Sequence, residues 1–152
     1  MANSDLIASF LNHITVERGA SKHTISSYRR DISKLEEFLS RHDRDFSNAS
    51  TEDVYGFISE LRSKNLADAT IARTVVSIRT FFRFLAKEGV VDDIAREITP
   101  PKIPKRLPKA LTIAEVSALI EACGSEGVQI RDRALVELLY ASGARVSEIV
   151  SL

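Results

Sequence analysis

Apolar residues recur at every third or fourth position along most of this chain, and no stretch alternates strictly enough to predict a strand. Leu6, Phe10 and Ile14, with Leu11 beside them, mark a first helix from Asp5 to about Glu17, with Ser4 as its N-cap and Gly19 as its stop. Ser21 caps a second, in which Ile25, Tyr28, Ile32, Leu35 and Leu39 form the buried stripe. Residues 41–48 are polar and predict a loop. Ser50 and Asp53 are spaced as a capping box ahead of the stripe Val54, Phe57, Ile58 and Leu61. Asn65 and Asp68 mark a break. A fourth helix follows from about Ala69 to Lys87, its inner face set by Ile71, Val75, Ile78, Phe82 and Leu85 and widened by Phe81 and Phe84. Gly89 is placed to end it in a left-handed conformation. Residues 90–97 predict a short fifth helix.

The pattern then stops. Pro100, Pro101, Pro104 and Pro108 are all the prolines of the protein, and they exclude a regular helix in favour of an extended linker. Thr112 and Glu115 restart the helical pattern with a second capping box, followed by Val116, Leu119, Ile120 and Cys123 on one side and Gly124 as the stop. A further helix opens at Val128 or Gln129, with Ala134, Leu135, Leu138 and Leu139 as its expected buried side. Gly143 ends it and Arg145 begins the next. The division expected is a helical domain over 1–98, a basic linker over 99–110, and the start of a second domain over 111–152. The pattern breaks off inside an apolar period, which reads as a piece of a longer protein. So short a second unit cannot easily build its own core. Its apolar faces are expected to pack on the first domain, pair with another copy, or be poorly ordered.

Composition adds mainly exclusions. Apolar residues make up 44% and charged residues 28%, the balance of a globular protein. Lysine plus arginine equals aspartate plus glutamate at 21 each, so net charge gives no support for a nucleic-acid partner. One cysteine, Cys123, rules out a disulfide framework and reads as a small apolar residue near a helix end. No apolar stretch is long enough to span a membrane, and Met1 to Leu6 lacks the form of a signal peptide; the cytoplasm is the default expectation. His13, His23 and His42 share no motif and read as exposed. No metal-spaced cluster, glycine-rich phosphate loop or nucleophilic triad is present, so no metal and no cofactor are expected.

Local charge is more informative. Residues 62–87 carry Arg62, Lys64, Arg73, Arg79, Arg83 and Lys87 against Asp68 alone. Arg79, Arg83 and Lys87 stand at i, i+4 and i+8, a basic row suited to phosphates or equally to an ordinary solvated face with helix-dipole compensation. On the second helix Lys22, Arg29, Arg30 and Lys34 are further candidates. The linker contributes Lys102, Lys105, Arg106 and Lys109. Arg145 has two readings. It is either an exposed arginine held by Glu148 three residues on, or a guanidinium placed at a helix start to bind an oxyanion.

Five blocks now fall in one order. They are Gly19-Ala20-Ser21-Lys22-His23-Thr24-Ile25-Ser26-Ser27-Tyr28-Arg29-Arg30-Asp31-Ile32; Thr70-Ile71-Ala72-Arg73; Ile78-Arg79-Thr80-Phe81-Phe82-Arg83-Phe84-Leu85; Leu107-Pro108-Lys109-Ala110-Leu111-Thr112; and Arg131-Asp132-Arg133-Ala134-Leu135 leading to Gly143-Ala144-Arg145-Val146-Ser147-Glu148. Together they resemble the first half of a tyrosine recombinase of the phage-integrase type, in its bacterial Xer-like form. One stretch departs from the family: 92–101 stands where an Asn-Pro-Ala-like sequence is common.

The resemblance implies an all-α chain. Its parts would be a four- to five-helix, SAM-like core-binding domain, a basic proline-rich linker, and the first helices of a truncated catalytic domain. It implies duplex DNA carrying a recombination site as the partner, and a recombinase tetramer in the full protein. Self-association of the present chain through the apolar faces of 111–152 is a further expectation. Arg145 would be the first catalytic arginine, on the scissile phosphate, with Glu148 supporting it. The family's hairpin lysine, His-x-x-Arg pair and tyrosine nucleophile belong after the arginine box. The 152 residues are therefore expected to bind DNA and not to cleave it, whereas the full protein would form a 3′-phosphotyrosyl intermediate. Two other classes compete: a non-enzymatic helical DNA-binding or architectural module, and a helical protein-interaction domain.

Overall fold

The computed structural model describes residues 3–104 and 109–151. Seven helices are found among them, and no strand: α1 (Asn3–Val16), α2 (Lys22–Ser40), α3 (Thr51–Ser63), α4 (Asp68–Lys87), α5 (Ile113–Ala122), α6 (Val128–Ser142) and α7 (Val146–Ile149). The chain divides into two compact units, Met1–Pro104 and Lys105–Leu152.

In the first unit the starts of α2 and α3 are set by side chains, whereas α4 begins after Ala67 without a side-chain cap. Ser21 Oγ accepts from the Thr24 N–H at 3.2 Å. Ser50 and Asp53 form a full capping box, each side chain accepting from the other's backbone N–H. Such caps are worth about 1 kcal/mol each because they satisfy otherwise orphaned N–H groups. Gly89, at φ +68°, turns the chain after α4 and lets the Val90 N–H reach the Leu85 carbonyl.

The apolar stripes of α1 to α4 converge on one core. Phe10, Ile14, Ile32, Leu35, Leu39, Val54, Ile71, Val75, Ile78, Phe81, Phe82 and Leu85 all lie within it. α4 is the central element: it packs against α1, α2 and α3, and α2 packs against α1 and α3 as well. Ten residues of α4 are buried: the expected stripe with Phe81 and Phe84, and also Ala72, Thr74 and Ser77, because three neighbours surround the helix.

Three expectations need correcting in this unit. Helix α1 begins at Asn3, so Ser4 lies inside it and is not its N-cap. Residues 90–97 form turns, not a fifth helix. Their hydrogen bonds run from Arg96 N–H to Asp93 and from Ile98 N–H to Ala95, three residues back, and no four-residue ladder develops. Burial of Ala95 and Ile98 fixes this segment, and prolines follow at once. His13 is largely covered, with its ring 4.9 Å from that of Phe84 and Nδ1 3.1 Å from Glu17.

The loop 41–48 is a loop as expected, but it is not wholly a surface one. Phe46 is fully buried, edge-on to Phe81 with ring centroids 4.8 Å apart, and its N–H donates to Asn3 Oδ1.

In the second unit Thr112 and Glu115 form the expected capping box, with Thr112 N–H 2.7 Å from Glu115 Oε2. The Thr112 N–H, then its hydroxyl, hold the Glu115 carboxyl below the ordinary glutamate range. Gly143 closes α6 in the left-handed conformation at φ +63°. The expected buried sides of α5 and α6 are not buried: neither helix has a buried residue, and Leu138 and Leu119 are exposed. Cys123 is half-buried, its thiol donating to the Leu119 carbonyl. Among the described residues of this unit only Ile149 is buried. Three short helices have too little surface to enclose an interior.

Candidate nucleic-acid interface

The interface is built on one buried carboxylate. Asp31, on the core-facing side of α2, is 0% exposed. A carboxylate taken out of water must be met by donors or it costs several kcal/mol. One turn of α4 supplies them: Arg73 Nη1 at 2.6 Å, Ser77 Oγ at 2.8 Å and Thr74 Oγ1 at 3.5 Å. These bonds fix the register of α2 against α4. They also fix Arg73, whose side chain remains 44% exposed.

Helical rotation of 100° per residue sets what lies around it. Starting from Arg73, steps of three and four reach Val76, Thr80, Arg83 and Lys87, the outward stripe of α4. Near its start, Arg73, Val76 and Ser77 line a shallow depression with His23, Thr24, Ser27 and Tyr28 of α2. Near its end, Thr80, Arg83 and Lys87 line another with Phe10, His13, Glu17 and Arg18. On α2, Ser27, Arg30 and Lys34 follow at the same spacing. Arg30 and Lys34 are exposed. No ion pair is found for Arg30, Lys34, Arg83 or Lys87 among the described residues.

Not every candidate joins this surface. Lys22 and Arg29, seven residues apart, share a different face of α2, turned away from the line of Ser27, Arg30 and Lys34 by helical rotation. Arg79 is partly covered at the edge of the α4 stripe. The basic row therefore resolves into an outward pair, Arg83 and Lys87, and a marginal third member. Lys102 and Lys109 are exposed and outside any helix, whereas Lys105 and Arg106 lie outside the described residues.

Beside Lys34, a second ionic group ties α2 to α3. Glu60 accepts from Lys64 Nζ at 2.6 Å and from Arg41 Nη2 at 2.8 and 2.9 Å. Lys64, and then Arg41, hold its carboxyl below the ordinary glutamate range. Arg41 and Lys64 are thereby compensated and differ from Arg83 and Lys87.

In the second unit Arg145 occupies the N-cap position of α7. Glu148 accepts from the Arg145 backbone N–H at 2.7 Å and from its Nη1 at 3.0 Å. The i+3 pairing is thus formed, and the first free N–H of this short helix is taken by Glu148. The guanidinium itself is 83% exposed and keeps its other donors. Among the described residues no group of His, Cys, Asp and Glu is arranged to hold a metal, and no helix is long and apolar enough to cross a membrane.

Sequence reasoning gave no site role to Arg18, His23, Thr24, Ser27, Asp31, Val76 or Thr80. The signal was available for two of them. Val76 and Thr80 stand at +3 and +7 from Arg73, an outward line that a search for basic residues alone overlooks. Arg18 and the α2 positions come in by tertiary contact, which no local pattern announces.

Residues 7–89, more than half of the chain, match the family model described as phage integrase, N-terminal SAM-like domain. The chain is 39% identical over 154 residues to tyrosine recombinase XerD of Haemophilus influenzae, covering 100% of this chain and 52% of that protein. It is 40% identical over 157 residues to XerD of Mycobacterium tuberculosis, at 94% and 50% coverage. To tyrosine recombinase XerC of Herpetosiphon aurantiacus it is 39% identical over 149 residues, at 94% and 48%. The chain spans about half the length of these relatives. The crystal structure of XerA recombinase shares the fold with a TM-score of 0.54 at 22% identity, over 91% of this chain and 46% of that one.

Proposed function

The chain belongs to the phage-integrase family through its N-terminal SAM-like domain, and on that premise we propose that it is the DNA-binding half of a site-specific tyrosine recombinase. The single observation that carries this reading is the α2–α4 surface. Arg30, Lys34, Arg83 and Lys87 are exposed cations without ion-pair partners among the described residues, carried on two helices whose register Asp31 fixes. Uncompensated cations on a rigid helical face suit a phosphate backbone, which binds them through counterion release. The compensated cluster of Arg41, Lys64 and Glu60 marks where that surface ends.

The remaining roles follow from the family. Arg145 is the arginine that engages the scissile phosphate in the full protein, and Glu148 orders it through the two hydrogen bonds it accepts. A fixed guanidinium there stabilises the charge that develops on the phosphoryl group. In the full protein a tyrosine hydroxyl attacks the phosphodiester, the 5′-hydroxyl leaves, and the 3′-phosphotyrosyl bond stores the energy for rejoining. Lys102, Lys105, Arg106 and Lys109 track the backbone between the two domains. The protein acts as a tetramer on paired sites, in the cytoplasm at the nucleoid. The exposed apolar residues of 111–152 serve association with further protein surface.

The test is titration of the full chain against duplex DNA at several salt concentrations. Log affinity is expected to fall linearly with log salt, and Arg79→Ala with Arg83→Ala is expected to weaken binding on every sequence and reduce the slope, chiefly through Arg83. Binding that does not respond to salt would favour the protein-interaction class instead.

A further inference from the structure

The depression that Arg73, Val76 and Ser77 line with the start of α2 is chemically unlike the exposed cations Arg30, Lys34, Arg83 and Lys87. Arg73 is charge-compensated at 2.6 Å. Around it stand neutral hydroxyls, Thr24 and Ser27, and Val76, an apolar side chain 48% exposed. A phosphate rewards net positive charge, and this patch supplies little. Base edges in the major groove present directed acceptors and the thymine methyl group, which reward oriented donors and apolar contact.

We infer that Arg73, aimed by Asp31, reads a guanine edge in the major groove, with Val76 as the neighbouring apolar contact. This rests on the DNA-binding reading above and deepens it. Only one guanidinium nitrogen is committed to Asp31, through a single bond, and the fork retains donors for guanine O6 and N7. The carboxylate removes the freedom that makes an exposed arginine a poor discriminator, and it lowers the attraction to phosphates nearby. Position along the helix agrees. Arg83 lies ten residues beyond Arg73, roughly 15 Å at 1.5 Å per residue. That is comparable with the major-groove width of about 12 Å, so a base reader at Arg73 leaves Arg83 and Lys87 near a flanking backbone.

The decisive experiment selects sites from a randomised duplex pool with the full chain, then measures affinity position by position. Wild type is expected to prefer one G·C pair by about tenfold or more. Replacing that guanine by 7-deazaguanine, which lacks the N7 acceptor, is expected to abolish most of the preference without any change to the protein. Arg73→Lys keeps a cation on Asp31 but loses the planar fork, and is expected to lose the preference at that one position only. Asp31→Asn, checked as folded by circular dichroism, adds net positive charge yet is expected to lose it too, with affinity for other sequences unchanged or tighter. A wild type that binds with salt dependence but shows no position sensitive to 7-deazaguanine would overturn the inference. So would an Arg73→Lys variant that keeps its base preference, or one that weakens all sequences equally. Absence of salt-dependent binding to the whole pool would instead sink the DNA-binding reading, and this inference with it.

Discussion

Asp31 and Arg73 show that one ion pair can be worth different amounts from its two ends. Removing Asp31 leaves a guanidinium that can turn to water. Removing Arg73 leaves a fully buried carboxylate with only Ser77 and Thr74 to satisfy it. Arg73→Ala is therefore expected to destabilise by roughly 3 kcal/mol, at the low end for breaking a buried pair. Asp31→Ala should cost less. Chemical denaturation of both variants checks the order, and an equal or reversed order would contradict it. Glu60 makes a smaller, pH-dependent contribution. Its folded carboxyl titrates below the unfolded one because Lys64 and Arg41 donate to it. That stability is present above the unfolded value and lost as pH falls through the folded one. Glu60→Gln is expected to melt slightly below wild type at neutral pH, with the gap closing in acid; a gap that widens in acid would contradict the assignment.

At the scale of the element, the helices were legible where period and caps agreed. Ser21, Ser50 with Asp53, and Thr112 with Glu115 each cap the helix their spacing predicts. Segment 90–97 misled because its apolar residues have helical spacing, yet Ala95 is buried from a turn and Ile98 just after it, with no helix formed. Phe46 was hidden for the opposite reason: one apolar residue in a polar loop carries no period, and only the tertiary aromatic cluster claims it. Phe46→Ala is expected to cost about 3–5 kcal/mol, comparable with an inner residue of α4. Ser50→Ala should cost about 1 kcal/mol. Thermal unfolding that left Phe46→Ala near wild type would mean the loop is not part of the core.

For the whole molecule, the sequence displayed the cations but not their partners. Arg83 and Lys87 emerge as an outward pair because burial orients α4. Arg73 was found by charge alone, whereas its role depends on a carboxylate 42 residues away in sequence. The two units differ in kind. The first encloses a core built from four helices, and among the described residues of the second only Ile149 is buried. Its motif residues, Arg145 and Glu148, were legible because they are three residues apart and pair locally. Arg145→Ala is expected to change DNA affinity of this chain scarcely at all, since one guanidinium is a small part of a phosphate footprint. A tenfold loss in a binding titration would place it within that footprint.

The measurement closest to the central claim is the salt dependence of duplex DNA binding by the full chain and by the Arg83→Ala, Lys87→Ala double variant. With the α4 stripe facing phosphates, wild type gives a steep slope of log affinity against log salt, and the variant gives one shallower by up to about two, near one per lost phosphate contact. An unchanged slope in the variant would contradict the account.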